Sequence, residues 1–221
     1  MHKSRISHPV VIYMYGLPGA GKTFVARQLA ESLGLAHISS ERIRFELFEE
    51  PQHDKTEHRV ITSLMNFMTE QFLNAGVGVV YDISMNRLAD RRVLRDLARH
   101  HGAKELMVWI QIDPETAYNR ATNRDRRKAD DKFASIPTAE VFESYMRSMQ
   151  NPQNENYLVI SGKHLFNSQK TAILRRLSEM GAVTNESLEQ KIAKPQMVNL
   201  VSRAQAQAGR VDYSRRNIII R

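Results

Sequence analysis

Short runs that are nearly all apolar alternate along the chain with longer stretches whose apolar residues recur every three or four positions. Residues 9–15 form the first run, which reads as a strand buried on both faces. Over 22–33 the spacing turns helical, with Val25, Ala26, Leu29 and Leu33 on one side and Gly34 as the stop. A second short strand is expected at 35–38, followed by a short helix over 40–48 capped by Ser39 or Ser40. Residues 54–74 read as a longer amphipathic helix with Val60, Ile61, Leu64, Met65, Met68, Phe72 and Leu73 facing the core. Further strands are expected at 77–81, ending on Asp82, at 105–112, where Trp109 is read as core, and at 157–160. Helices separate them: an Arg-rich one over 87–101 stopped by Gly102, one from Pro114 to about 126 behind an Asp113 cap, and one over 138–150. A last helix is expected over 168–180, stopped by Gly181. This alternation predicts an α/β fold, with a mainly parallel sheet and helices on both faces.

Composition narrows the chemistry. The 221 residues contain no Cys, which excludes disulfides, thiolate metal sites and thiol catalysis. No run of about 18 apolar residues occurs, so no membrane span is expected and the chain reads as cytoplasmic. The net charge of +8 favours anionic partners without choosing among them. Half of that excess lies in residues 182–221, which carry seven Lys and Arg against three Asp and Glu. We read 1–181 as one domain and 182–221 as a basic C-terminal extension, whose Ile218, Ile219 and Ile220 suit an added edge strand. In the Arg-rich helix, Arg87, Arg91 and Arg95 form an i, i+4, i+8 stripe that is either a solvated face or a guide for an RNA or DNA end. His100 and His101 suit a helix C-terminus rather than a metal.

Gly16, Leu17, Pro18, Gly19, Ala20, Gly21, Lys22 and Thr23 spell G-x-x-x-x-G-K-[ST] between a strand and a helix. Glycines let successive N–H groups converge on phosphate oxygens, and the helix N-terminus adds positive potential. Lys22 reaches the β- and γ-phosphates, and the Thr23 hydroxyl is a ligand for Mg²⁺. ATP and Mg²⁺ are therefore expected. No N-K-x-D motif of the kind that reads guanine in switch GTPases is present.

Four blocks then resemble the P-loop kinases related to polynucleotide 5′-hydroxyl kinase and zeta toxins, often grouped as AAA-type kinases. They are the phosphate loop, the segment 38–44, the run 79–82, and Arg120-Ala121-Thr122-Asn123-Arg124. The likeness spans roughly residues 10–180. It implies a P-loop NTPase three-layer sandwich with a five-stranded sheet of order 2-3-1-4-5 and an Arg-rich lid at about 120–137. It also implies transfer of the γ-phosphate of ATP to a hydroxyl. By resemblance, Glu41 stands where the family has its general base, commonly Asp, and Arg44 where it has an acceptor-holding Arg. Asp82 at a strand tip is a candidate for Mg²⁺ or for the acceptor side. Arg120, Arg124 and Arg127, spaced to share a helical side, are lid candidates for the triphosphate, Arg124 foremost. The acceptor stays open between a polynucleotide 5′-hydroxyl and a small molecule such as a sugar, antibiotic or nucleotide-sugar. Rival readings are a nucleotide-gated nucleic-acid-binding ATPase module and a toxin-like nucleotide-sugar kinase. Oligomeric state is not fixed by the sequence.

Overall fold

A computed structural model describes residues 6–125, 127 and 131–183. The basic extension, with its Ile run, lies outside the described residues beyond Val183. Five strands form one parallel sheet: β1 (Val10–Tyr15), β2 (Ala36–Ser39), β3 (Val79–Asp82), β4 (Lys104–Gln111) and β5 (Tyr157–Ser161). Their spatial order is β2-β3-β1-β4-β5, and every neighbouring pair is parallel. β1 sits at the centre with all six residues buried, as its unbroken apolar run requires.

The alternation of β1 side chains feeds two cores. Val10, Ile12 and Met14 pack against α1 (Lys22–Leu33) and α7 (Phe166–Glu179), where Val25, Leu29, Ile173 and Leu177 close one layer. Val11, Tyr13 and Tyr15 face the opposite layer of α3 (Lys55–Asn74) and α4 (Leu88–His100), with Ile61, Met65, Leu94 and Ala98. Each such fully buried aliphatic side chain contributes about 1.5–3 kcal/mol relative to exposure. The result is the three-layer sandwich the sequence resemblance implies. Among the described residues no helix is long and apolar enough to cross a membrane.

Three shorter helices lie at the C-terminal ends of the strands: α2 (Ser40–Leu47), α5 (Pro114–Thr122) and α6 (Ala139–Ser148). Ser39 is the N-cap of α2, without a side-chain cap bond. Asp54, Asp113 and Thr138 cap α3, α5 and α6 by accepting from Glu57, Thr116 and Val141 N–H groups. The domain core runs two residues past Gly181: Ala182 and Val183 are buried, and Val183 makes an antiparallel bridge with Ile6.

Several expectations need correction. The helix from Pro114 ends at Thr122, not near 126, because Thr122 Oγ1 and Asn123 Nδ2 bond back to the Tyr118 and Asn119 carbonyls and compete with further turns. Arg124 and Arg127 therefore lie beyond the helix and do not share a helical side with Arg120. Val60 is 46% exposed; the buried stripe of α3 runs through Ile61, Met65, Thr69 and Leu73. Trp109 packs against the core as expected while staying partly exposed, edge-on to Tyr15 at a centroid distance of 5.3 Å. The Arg stripe fits neither of its two readings. Arg87 and Arg99 are exposed, but Arg91 is fully buried, with Nη2 2.9 Å from Glu155 Oε2. Its Nη1 donates to the carbonyls of Met85 and Asn86, and Arg95 approaches Glu155 at 3.5 Å. Two of the stripe's three arginines thus clamp a carboxylate from a distant segment.

Candidate functional site

The sheet directs one cleft. The loops leaving β1, β2 and β3 open at the strands' C-terminal ends, where ligands of open α/β sheets lie. Together with α5, α6 and the segment between them they enclose about 960 Å³.

The nucleotide end is built from backbone. In the turn from β1 to α1, Gly16, Gly19 and Gly21 adopt φ of 143°, 81° and 96°. Gly19 has a second constraint, since a Cβ there would collide with the Ala117 carbonyl of α5. The N-cap of α1 is Gly21, without a side-chain bond, and its first turn carries no acidic residue. Its N–H groups and dipole are accordingly left for an anion. Lys22 Nζ donates to the carbonyls of Gly16 and Leu17 at 2.9 Å each and lies 5.8 Å from the centre of the Tyr145 ring. Burial pulls its ammonium down to about 8, against the opposing pull of the Asp82 carboxylate. Tyr145, on α6, donates its hydroxyl to Gly16 O at 3.1 Å, and burial raises its phenol to about 12.

Beside the loop, Thr23 Oγ1 donates to Asp82 Oδ1 at 3.4 Å, and His37 Nε2 approaches Asp82 Oδ2 at 3.1 Å. A hydroxyl and a carboxylate side by side fit Mg²⁺, which takes one or two protein oxygens and completes its shell with phosphate and water. Among the described residues no group of three or more His, Asp or Glu is placed to hold a metal.

Glu41 and Arg44, both on α2, line the same cleft. Arg44 Nη1 donates to Glu41 Oε1 at 2.7 Å and to His53 Nδ1 at 3.1 Å, while its Nε lies 3.4 Å from Glu57 Oε2. The Glu57 carboxylate also accepts from the backbone N–H groups of Gln52 and His53 at 2.6 and 2.8 Å. Glu57 thus holds both Arg44 and the turn bearing His53. Sequence reading missed this residue, though Asp54-x-x-Glu57 ahead of an apolar run is a capping-box signature that was there to be found.

The lid candidates separate. Arg124 lines the cleft; burial lowers its pKa against the pull of Asp131 and Glu41. Arg120 also lines it, with Nη1 on the Gly162 carbonyl at 2.9 Å. Arg127 does not: its side chain is 91% exposed and paired with Asp125 at 2.9 Å. Lys22, Thr23, Glu41, Arg44, Asp82, Arg120 and Arg124 therefore share one cleft. Phe133 of the lid segment touches Phe45 of α2 at a ring distance of 5.0 Å, joining the two sides.

Comparison with known proteins bears on the fold. No curated protein matches the chain in sequence. Among solved structures it is similar to a sugar kinase from Janibacter sp. HTCC2649, at 16% identity over 79% of this chain and 95% of that one, with a TM-score of 0.57. A gluconokinase from Sinorhizobium meliloti 1021 aligns at 15% identity over 85% and 99%, with a TM-score of 0.59. Kti12 of Chaetomium thermophilum, in complex with ADP-AlF3, aligns at 15% over 79% and 99%, with a TM-score of 0.60. These likenesses are of fold, a P-loop kinase-like sandwich. The AAA domain model matches residues 11–152, which take in the phosphate loop, α2, Asp82 and Arg124, and on that match the chain belongs to the AAA domain family.

Proposed function

We propose that the protein is a phosphotransferase that moves the γ-phosphoryl group of ATP to a hydroxyl acceptor. One observation carries this reading: a carboxylate, Glu41, and a phosphate loop face the same cleft, with Arg124 close enough to feel the Glu41 charge. A phosphate-binding loop alone suits binding or hydrolysis; a carboxylate set to orient a second nucleophile suits transfer.

In the reaction the acceptor oxygen forms a bond to the γ-phosphorus while the bond to the β,γ-bridging oxygen breaks, and ADP departs. Glu41 orients the acceptor hydroxyl and takes its proton. Arg44 holds the Glu41 carboxylate in place. Lys22 leaves its loop carbonyls for the phosphates, and Arg124 neutralises charge that spreads over the transferring oxygens. Thr23 and Asp82 would hold Mg²⁺, which would supply neutralisation of phosphate charge. Arg120, whose Nη1 bonds the Gly162 carbonyl beside the same cleft, supplies a further cation for the triphosphate. The narrower kinship with polynucleotide kinases and zeta toxins, and a cytoplasmic setting, belong to this proposal as well.

The test is product identity. Incubation with γ-labelled ATP, Mg²⁺ and hydroxyl compounds is expected to give a labelled acceptor. Release of inorganic phosphate alone sinks the reading. Glu41→Gln is expected to lower kcat with the ATP KM unchanged; an unaltered kcat reassigns Glu41 to a structural role.

A further inference from the structure

Taking phosphoryl transfer as the reaction, we infer that the acceptor is a neutral polyhydroxy compound of about monosaccharide size. It is recognised by Glu41, Arg44, His53 and Asn86 along the cleft, and it is not the 5′-hydroxyl end of a polynucleotide.

The charge of these residues comes first. Arg44 is buried; its Nη1 is taken by Glu41 and His53, and its Nε lies 3.4 Å from Glu57 Oε2 without making a hydrogen bond. Glu41 and Glu57 both oppose the Arg44 guanidinium, which leaves it no surplus positive charge for a ligand. A phosphodiester seated there would meet the Glu41 carboxylate and find only an Arg already paired with it. A neutral hydroxyl compound incurs neither cost.

The hydrogen-bond pattern is the second observation. A guanidinium only donates, so His53 Nδ1, 3.1 Å from Arg44 Nη1, accepts. The proton of the neutral ring is thereby fixed on Nε2, and His53 offers a donor. The residue is held in a left-handed conformation, φ 55°, by the Glu57 carboxylate on its backbone N–H, and it lines the cleft. Glu41 stays one-third exposed and supplies an acceptor. Asn86 Oδ1 is buried with no hydrogen-bond partner among the described residues, and Asn86 lines the same cleft. A donor and two acceptors lining one cleft match the hydroxyls of a polyol, each of which both gives and takes a hydrogen bond. His58 lines the same cleft, and burial lowers the pKa of its imidazole.

Size and surroundings agree. About 960 Å³ lies near the top of the range for small-molecule sites, roughly 300–1,000 Å³, and this cleft must hold the nucleotide as well. The arginines that best suited tracking a polynucleotide backbone, Arg91 and Arg95, turn inward onto Glu155.

The full-length protein with γ-labelled ATP and Mg²⁺ is offered two panels: small neutral aldoses and polyols, and 5′-hydroxyl DNA and RNA oligonucleotides. A labelled sugar or polyol phosphate is expected, with a higher kcat/KM than any oligonucleotide. His53→Asn keeps a side chain that tolerates the left-handed backbone but withdraws the donor from reach. It is expected to raise the acceptor KM roughly tenfold, with the ATP KM and Tm unchanged, and His53→Gln is expected to restore part of the loss. Labelling of oligonucleotides alone, or with the higher kcat/KM, overturns the inference and leaves phosphoryl transfer standing. Release of phosphate with no labelled acceptor in either panel overturns both. An unaltered acceptor KM in His53→Asn removes His53 from the recognition wall and overturns the pattern drawn from it.

Discussion

Two arginine-rich segments with similar composition meet opposite fates. In α4, Arg91 and Arg95 converge on Glu155, and the side chains of Arg91 and Glu155 are fully enclosed. Between α5 and α6, Arg124 opens onto the cleft while Arg127 stands in solvent. The difference lies in the partner. A guanidinium inside a protein needs a carboxylate and carbonyls to replace water, and Glu155 with the Met85 and Asn86 carbonyls supplies them. Tyr15 adds a ring face 5.4 Å from Arg91 Cζ. Near Arg124 the opposing charges are Asp131 and Glu41, which border a cleft rather than close over the guanidinium. One set of arginines therefore serves stability and the other is available for chemistry.

The sharpest way to break this contrast is Glu155→Ala. It strands Arg91 in the core and is expected to lower stability by about 3–5 kcal/mol, read by urea unfolding, with the ATP KM of the remaining folded protein unchanged. Replacing the pair together, Arg91→Met with Glu155→Leu, is expected to recover most of that loss. Lys22→Ala acts in the opposite sense. Transfer is expected to fall by roughly 10³-fold, with unfolding free energy not reduced, because a buried charge is removed. Arg124→Ala is expected to lower kcat by about 10²-fold and to shift stability by no more than about 0.5 kcal/mol. A stability loss as large as that of Glu155→Ala would erase the distinction between the two segments.

The smallest effect is a pH dependence. Burial holds Lys22 near 8 in the free protein, against 10.5 for a free side chain. The phosphates need its protonated form, so ATP affinity is expected to weaken as pH rises through 8. Binding above that pH is expected to take up a proton, measured by calorimetry in buffers of different ionisation enthalpy. For folding the sign is opposite: the unfolded chain holds the extra proton between about 8 and 10.5, so the Lys22 contribution to stability rises across that window.

What the sequence could show followed the range of the interactions. The ends of α1 were legible because Gly21 and Gly34 mark them locally, and the phosphate loop because its chemistry lies in eight consecutive residues. The sheet order came from resemblance, since periodicity finds strands without ordering them. The partner of Arg91 lies 64 residues away, and no local pattern joins them. The acceptor wall is similar: Glu41, Arg44, His53 and Glu57 come from two helices and a turn, and only the α2–α3 packing brings them together. Early termination of α5 rests on side chains folding back on their own helix, a competition that apolar spacing does not register.

The bridge between Ile6 and Val183 bears on how the molecule can be re-engineered. The two ends of the described fold are clasped side by side, with Ser7 N–H bonded to Ala182 O at 3.0 Å. They meet where β1 begins, while the cleft opens where β1 ends, about 20 Å along the strand. A short linker joining residues 6 and 183 would close the core into a ring. New termini in the turn after α4, at Gly102, would then leave the phosphate loop and the acceptor wall on uninterrupted chain. The fold is in this sense a natural candidate for circular permutation.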